Sequence, residues 1–295
     1  MAQRLTITAH STALFSTWIF IEEWKLLFDA GDGVMSSLMH RSRKIRNIAI
    51  SHADRDHIFG LLQLNHHNAR HNLESVLYPG DARSIDRLRE FAWRFDRETA
   101  DSYDWIKVEP GVSYPVTNEL ALKPIRNTHL SRMGDENRSV GYAVMRRFRK
   151  LKAEFQSLSQ DELRQIGTTH GSQFLSEPHE EPMLVYSGDT GLCPPETWLG
   201  AKILIHEATF LREGEVEEGW PGHEHCTLEE MLPMARDANP EILIIHHISS
   251  RYRMGEVASE IRRMAEELKI GFPIWAIPPG ETVEDLLSRR PVWEP

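Results

Sequence analysis

Cysteine is nearly absent from the 295-residue chain, which carries only Cys193 and Cys226. Two thiols make neither a disulfide framework nor a thiolate metal cluster, so a reducing compartment and a cytoplasmic location are expected. Long apolar runs are missing too. No stretch reaches about 18 apolar residues. The greasiest N-terminal piece, 13–21, is broken by Ser16 and Thr17 and closed by Glu22, Glu23 and Lys25. That excludes a membrane span, and no basic leader or small-residue cleavage site frames a secretory signal. Positive charge is not in excess. The formal net charge is −10, so contact with a polyanion must come from local basic patches. Gly/Ser linkers, internal repeats and low-complexity tracts are also lacking, which leaves a single domain over 1–295. Histidine, by contrast, is plentiful. There are 15, several beside acidic residues, and that combination points toward metals.

Short apolar runs bounded by turn residues predict strands over 4–9, 17–21, 25–29, 46–50, 75–78, 121–126, 139–145, 183–186, 202–205, 241–245 and 273–277. Helical spacing predicts helices over 58–70, 82–95, 228–238, 257–268 and 281–289, with Asp81 and Thr227 as N-caps of two of them. Early strands follow one another as hairpin neighbours, and later ones alternate with helices. This order suggests two sheets packed face to face with helices outside, rather than one doubly wound parallel sheet. The least regular stretch is 146–182. It opens with Arg146, Arg147, Arg149, Lys150 and Lys152 and ends in Glu177, Glu180 and Glu181, and it reads as an arm or insertion.

Four metal-ligand types, His52, Asp54, Asp56 and His57, fall within six residues between a predicted strand and a predicted helix. A sharp turn there lets adjacent side chains diverge toward two centres. Imidazole suits zinc and iron, while carboxylates suit harder ions and can bridge. Three further strand ends add His129, Asp189 behind Gly188, and His246-His247. Strand carboxyl ends are where α/β folds assemble sites. His66, His67 and His71 lie on or just after the helix that follows the loop, where helical pitch carries them away. His40, His170, His179 and His223 have no ligand-like neighbours, and His246 should face away from His247. The tryptophans share no spacing and read as core and rim rather than a base-stacking platform.

On these residues the sequence resembles the metallo-β-lactamase superfamily, and within it most closely the ribonuclease Z family of tRNA 3′-processing endoribonucleases. Residues 26–33 (Leu-Leu-Phe-Asp-Ala-Gly-Asp-Gly) look like the family's early strand and turn. Residues 52–57 match its His-x-His-x-Asp-His metal motif except at Asp54, and His129, 186–190 and His247 match its later ligands. The stretch 206–209 (His-Glu-Ala-Thr), the loop 225–227 (His-Cys-Thr) and 247–252 (His-Ile-Ser-Ser-Arg-Tyr) point to ribonuclease Z in particular.

The resemblance implies an αββα four-layer sandwich of two mixed sheets and a centre of two divalent metal ions, zinc foremost. His52, Asp54 and His129 would hold one ion, Asp56, His57 and His247 the other, and Asp189 would bridge them. Asp56 would orient or take a proton from the attacking water. His225, held by Glu207, would protonate the leaving oxygen or stabilise charge on the phosphorane. Arg251, with Ser249 beside it, would pair with a phosphate oxygen. The implied partner is precursor tRNA, with no membrane contact, and a homodimer is expected.

Three features depart from the family pattern. Residues 10–16 lack its Gly-rich turn and Pro/Lys/Arg/Asn motif. The segment 146–182 lacks the Gly-Pro element of its RNA-gripping arm. Asp54 stands where it has histidine, which adds negative charge and opens the site to manganese. The resulting expectation is a metal-dependent phosphodiesterase, a ribonuclease Z-like endoribonuclease acting on RNA 3′ ends. Alternatives are a hydrolase of the same fold acting on a cyclic or small nucleotide, on DNA, or on a lactone or thioester, and a metal-free binding protein.

Overall fold

Two sheets take up the apolar runs, and alternate side chains of each strand go to opposite faces. The computed structural model describes residues 5–68, 72–130, 136–215 and 224–295. Arg4, Arg70, His71, Trp220 and His223, which fall within the expectations above, lie outside the described residues. The first sheet takes β1 (Ile7–Thr12), β2 (Ser16–Ile21), β3 (Leu26–Phe28), β4 (Asn47–Ala49), β5 (Ser75–Pro79) and β6 (Asp104–Val108). The second takes β7 (Tyr114–Pro115), β8 (Leu120–Arg126), β9 (Val140–Leu151), β10 (Ser176–Tyr186), β11 (Ile203–Glu207), β12 (Ile242–His246) and β13 (Ile274–Ala276). The chain then returns to the first sheet with β14 (Thr282–Val283). The orders are β14-β1-β2-β3-β4-β5-β6 and β13-β12-β11-β10-β9-β8-β7, both mixed.

The layers follow from the period of two. Ile19, Ile21 and Phe28 of the first sheet meet Tyr142, Leu184, Ile205 and Ile244 of the second in the central core. Their chain neighbours Trp18, Phe20 and Leu27 turn outward, toward α1 (Val34–Leu38), α2 (Arg55–Ile58), α3 (Leu61–Asn68) and α4 (Arg83–Phe95). The short α5 (Arg97–Ala100) follows α4, and α6 (Gln160–His170) and α7 (Ser172–Leu175) lie between β9 and β10. Leu243 and Ile245 turn outward from the second sheet, under α8 (Leu228–Ala238) and α9 (Met254–Glu267). The αββα sandwich expected from the sequence is therefore present. Strands buried on both faces read as unbroken apolar runs, as 203–205 and 242–245 do.

Several local expectations are corrected. No helix forms over 281–289, because β14 pairs with β1 and Asp285 takes a left-handed φ of 43° before a single 3-10 turn, Leu286–Ser288. Sheet closure overrides the local helical spacing there. Thr227 does cap α8 and forms a reciprocal capping box with Glu230. Asp81 caps nothing: Ala82 precedes α4, and the Asp81 carboxylate accepts the Asn137 N–H at 2.7 Å. Strands β6 and β7 were not legible, being edge strands with exposed polar positions.

The segment 146–182 is regular. Strands β9 and β10 run on past the sheet as an antiparallel ribbon, with α6 and α7 at its end. Its acidic end faces its basic beginning. Arg146 pairs with Glu181 and Arg147 with Glu180, each at 3.6 Å. Arg149 donates to the carbonyls of Gln173 and Ser176, and Lys152 sits over the Phe174 ring. Exposed pairs of this kind contribute about 1 kcal/mol or less each.

Two glycines bring the candidate ligand loop against the β3 end. A Cβ on Gly31 would lie 2.3 Å from the Asp56 carbonyl oxygen, and one on Gly60 would lie 2.2 Å from the Gly31 carbonyl oxygen. The same backbones are joined by Ala30 N–H to His57 O and Gly60 N–H to Ala30 O. Gly60→Ala is therefore expected to destabilise the fold by about 3 kcal/mol, the upper end of overpacking costs. Urea denaturation measures it, and a loss below about 0.5 kcal/mol would contradict the close contact.

Candidate metal centre

The candidate ligands lie at the ends of strands that are neighbours in the two sheets. β4 leads into the turn holding His52, Asp54, Asp56 and His57, and β8 leads to His129. β10 leads to Asp189, β11 ends at Glu207, and β12 leads to His247. The chain bends sharply at these ends. Asp29 (φ 51°), Gly188 (φ 61°) and His247 (φ 59°) all take left-handed backbone. Backbone strain of this kind is concentrated at functional sites. At Gly188 a Cβ would come within 2.8 Å of the Ser51 side chain.

The seven ligand candidates converge. Asp54 Oδ2 lies 3.5 Å from His52 Nε2 and 3.4 Å from His129 Nε2, forming one group. Asp56 Oδ2 lies 3.6 Å from His57 Nε2 and 3.4 Å from His247 Nε2, forming the other. Asp189 Oδ2 stands between them, 3.7 Å from His52, 3.3 Å from His57 and 3.1 Å from His247. Asp54 is shorter than a histidine, yet it reaches the first group.

Each imidazole is tied back through Nδ1. His57 Nδ1 is 2.8 Å from the Asp29 carboxylate, and His129 Nδ1 is 2.8 Å from the Glu224 carbonyl. His52 Nδ1 is 2.9 Å from the Ser51 hydroxyl, which donates to Asp29. His247 Nδ1 is 2.9 Å from the Thr209 hydroxyl, which donates to Glu207. Acceptors at every Nδ1 place one proton there and turn Nε2 inward as the available ligand atom. His52 Nε2, His57 Nε2 and Asp189 Oδ1 are buried with no hydrogen-bond partner. Orphaned inward lone pairs beside three carboxylates fit divalent cations.

The electrostatics agree. Burial opposes the charge of Asp189, but His247, His57 and His52 outweigh it and hold its carboxyl well below the usual range. Asp54 and Asp56 are likewise pulled down against burial, by His129 and His52 and by His57 and His247 respectively. His57 is raised despite burial, because Asp189, Asp56 and Asp29 surround it. His52 is lowered by burial and by the charge of His57.

Beside the cluster, Glu207 is fully buried and holds His225 Nδ1 at 2.8 Å. Burial opposes both charges, but their mutual attraction lowers Glu207 to about 2 and raises His225 to about 9. The His225 ring lies 4.8 Å from that of His129 and stacks on His247 at 5.3 Å. The Arg251 guanidinium donates to the Ser249 hydroxyl at 3.3 Å and covers the Phe210 ring. His246 is buried between the Ser11 and Ser187 hydroxyls and packs tilted against the Tyr186 ring. His40, His66, His170 and His179 are exposed. Sequence reasoning missed the supporting residues Asp29, Ser51, Tyr186 and Thr209. Asp29, Tyr186 and Thr209 lay inside the 26–33, 186–190 and 206–209 motifs without being singled out, and Ser51 directly precedes the 52–57 motif.

A family profile described as a beta-lactamase superfamily domain matches residues 160–248. Ribonuclease BN of Escherichia coli is 29% identical over 250 residues, covering 77% of this chain and 79% of that protein. The metallo-beta-lactamase fold protein YhfI from Bacillus subtilis superposes with a TM-score of 0.61 at 15% identity, covering 96% of this chain and all of that one. Human tRNase Z, short form, gives 0.58 at 17% identity, with 95% and 99% covered.

The Asp29 carboxylate fixes His57, so Asp29→Asn is expected to weaken divalent-metal affinity by about 10- to 100-fold. Affinity should also fall as pH falls, because His57 holds its proton more tightly without a cation and that proton must leave on binding. Chelator competition at pH 6 and pH 8 measures both effects. Equal affinities for the variant and the wild type, or no pH dependence, would contradict the assignment.

Proposed function

From a metallo-β-lactamase fold with ligand candidates gathered at its strand ends, we propose that this protein is a metal-dependent phosphodiesterase, a ribonuclease Z-like endoribonuclease that cleaves RNA near 3′ ends. His52, Asp54 and His129 would hold one divalent ion and Asp56, His57 and His247 the other, with Asp189 available to both groups. When bound, two such ions supply a nucleophile at neutral pH and positive charge against the phosphate oxygens. The remaining work falls to the chain's own groups.

The observation that carries this reading is the Glu207–His225 pair beside the ligand cluster. Glu207 is locked by the Thr190 and Thr209 N–H groups and by the Thr209 hydroxyl, so it acts as a fixed anion. It orients His225 and favours its charged form. His225 Nε2 then donates a proton to the departing ribose oxygen. The Glu207 carboxylate raises His225 to about 9 against its burial, so the ring carries the proton it gives up. Asp56 accepts the Leu14 N–H at 3.1 Å, which holds its carboxylate where it can take a proton from the attacking water.

Similarity to a ribonuclease over most of the chain supports an RNA substrate. A second reading, a small-nucleotide phosphodiesterase, is favoured by one observation: Arg146 and Arg147 of the ribbon are already paired with Glu181 and Glu180. For the metal, the two groups are each mixed imidazole–carboxylate sets, suiting zinc first. The Asp54 carboxylate hardens the first group toward manganese.

His225→Ala is expected to leave metal content unchanged and to lower turnover of a tRNA bearing a 3′ trailer by roughly 10² to 10⁴. The loss should be smaller on bis(p-nitrophenyl) phosphate, whose leaving group needs little protonation. Loss of metal in the variant would make His225 a ligand and remove its acid role. Wild-type cleavage of the nitrophenyl ester without cleavage of the tRNA would favour the second reading.

A further inference from the structure

A cleft of about 300 Å³ opens directly beside the candidate ligands. Its walls are Ala53 and Asp54 from the ligand turn, Asp81 to Ser84 at the start of α4, and Leu130, Glu136 and Arg138. Asp54 belongs to both places: it forms a wall of the cleft and lies within 3.5 Å of His52 and His129. A molecule in the cleft would therefore meet the first ligand group at Asp54. The size is at the low end for ligand pockets, enough for a mononucleotide and too small for a duplex.

The charges in the cleft are unevenly committed. Glu136 and Arg138 form an ion pair at 3.8 Å. The Asp81 carboxylate is engaged by the Asn137 N–H. Asp54 faces the two histidines. The Arg83 guanidinium is the exception, with no hydrogen bond or ion pair among the described residues, and it stands on the rim of the same cleft. An uncommitted, exposed arginine is a ready bidentate partner for a phosphate. Another cavity, lined by Asp86, Arg89, Glu90, Trp93 and Asp101, contains no ligand candidate.

Building on the phosphodiesterase reading, we propose that the cleft beside Asp54 is the subsite for the nucleotide that adjoins the scissile phosphate, with Arg83 contacting that nucleotide's outer phosphate. The site thus takes a single unpaired nucleotide on this side. Asp54, which would also hold metal, lies between the first ligand group and the cleft.

The test is binding of uridine 3′,5′-bisphosphate to the metal-loaded protein by calorimetry, with cleavage of pUpU and bis(p-nitrophenyl) phosphate measured in parallel. Arg83→Ala should raise the Kd about tenfold, in keeping with the loss of one charge-assisted hydrogen bond, and Arg83→Lys should raise it less. The Arg83→Ala loss in kcat/KM should fall mainly on KM and be larger for pUpU than for the nitrophenyl ester. Arg89→Ala removes the same charge farther along α4 and should leave Kd within about twofold, as expected for surface substitutions away from a site. An unchanged Kd in Arg83→Ala, or an equal effect of Arg89→Ala, overturns the subsite. Wild type that cleaves the nitrophenyl ester but does not bind the bisphosphate overturns the subsite alone. Wild type that cleaves no phosphodiester overturns the phosphodiesterase reading with it.

Discussion

The buried Asp29 carboxylate is the interaction on which the rest depends. It accepts the Ser51 N–H at 2.7 Å and the Ser51 hydroxyl at 2.8 Å, which fixes the exit from β4. It meets His57 Nδ1 at 2.8 Å, which fixes a ligand candidate. It also accepts the Tyr186 hydroxyl at 2.6 Å across the sandwich, from the end of β10. One carboxylate thereby joins the two sheets and sets the ligand turn on both. A buried, fully used carboxylate is costly to disturb, because each donor left behind would be an unsatisfied polar group. The central core holds the sheets together without direction, whereas Asp29 sets how their strand ends line up.

The arrangement explains how short strands and ordinary turns yield a concentrated charge cluster. Several imidazoles and three carboxylates at such distances would repel or neutralise one another at random orientations. Here each Nδ1 is spent on a hydrogen bond outside the cluster, so the lone pairs face inward together. The same logic extends outward to Glu207, whose fixed charge steadies both Thr209, behind His247, and His225.

Much of this was legible in the sequence. Runs such as 203–205 and 242–245, apolar at every position, announced strands buried on both faces, and the ligand types at their ends announced the site. The compact 52–57 turn was readable because few turns carry four ligand types. What failed was either long-range or generic. The β14–β1 closure defeated the helical spacing of 281–289, because pairing with a strand far away in sequence leaves no local mark. The 146–182 ribbon looked irregular because its regularity lies in cross-strand pairs, Arg146 with Glu181 and Arg147 with Glu180, rather than in either strand alone. Ser51, Tyr186 and Thr209 are common residues whose role comes only from position. The cleft beside Asp54 likewise draws on segments far apart in the chain.

Asp189 stands between the two ligand groups, and a dinuclear centre requires it to serve both. Elemental analysis of wild-type and Asp189→Ala protein, with bis(p-nitrophenyl) phosphate turnover on the same samples, is the most direct test. The account predicts close to two divalent ions per wild-type chain, and a folded variant that loses most of both ions and all measurable turnover. A variant that keeps both ions, or that turns over the ester at near wild-type rate, would contradict it.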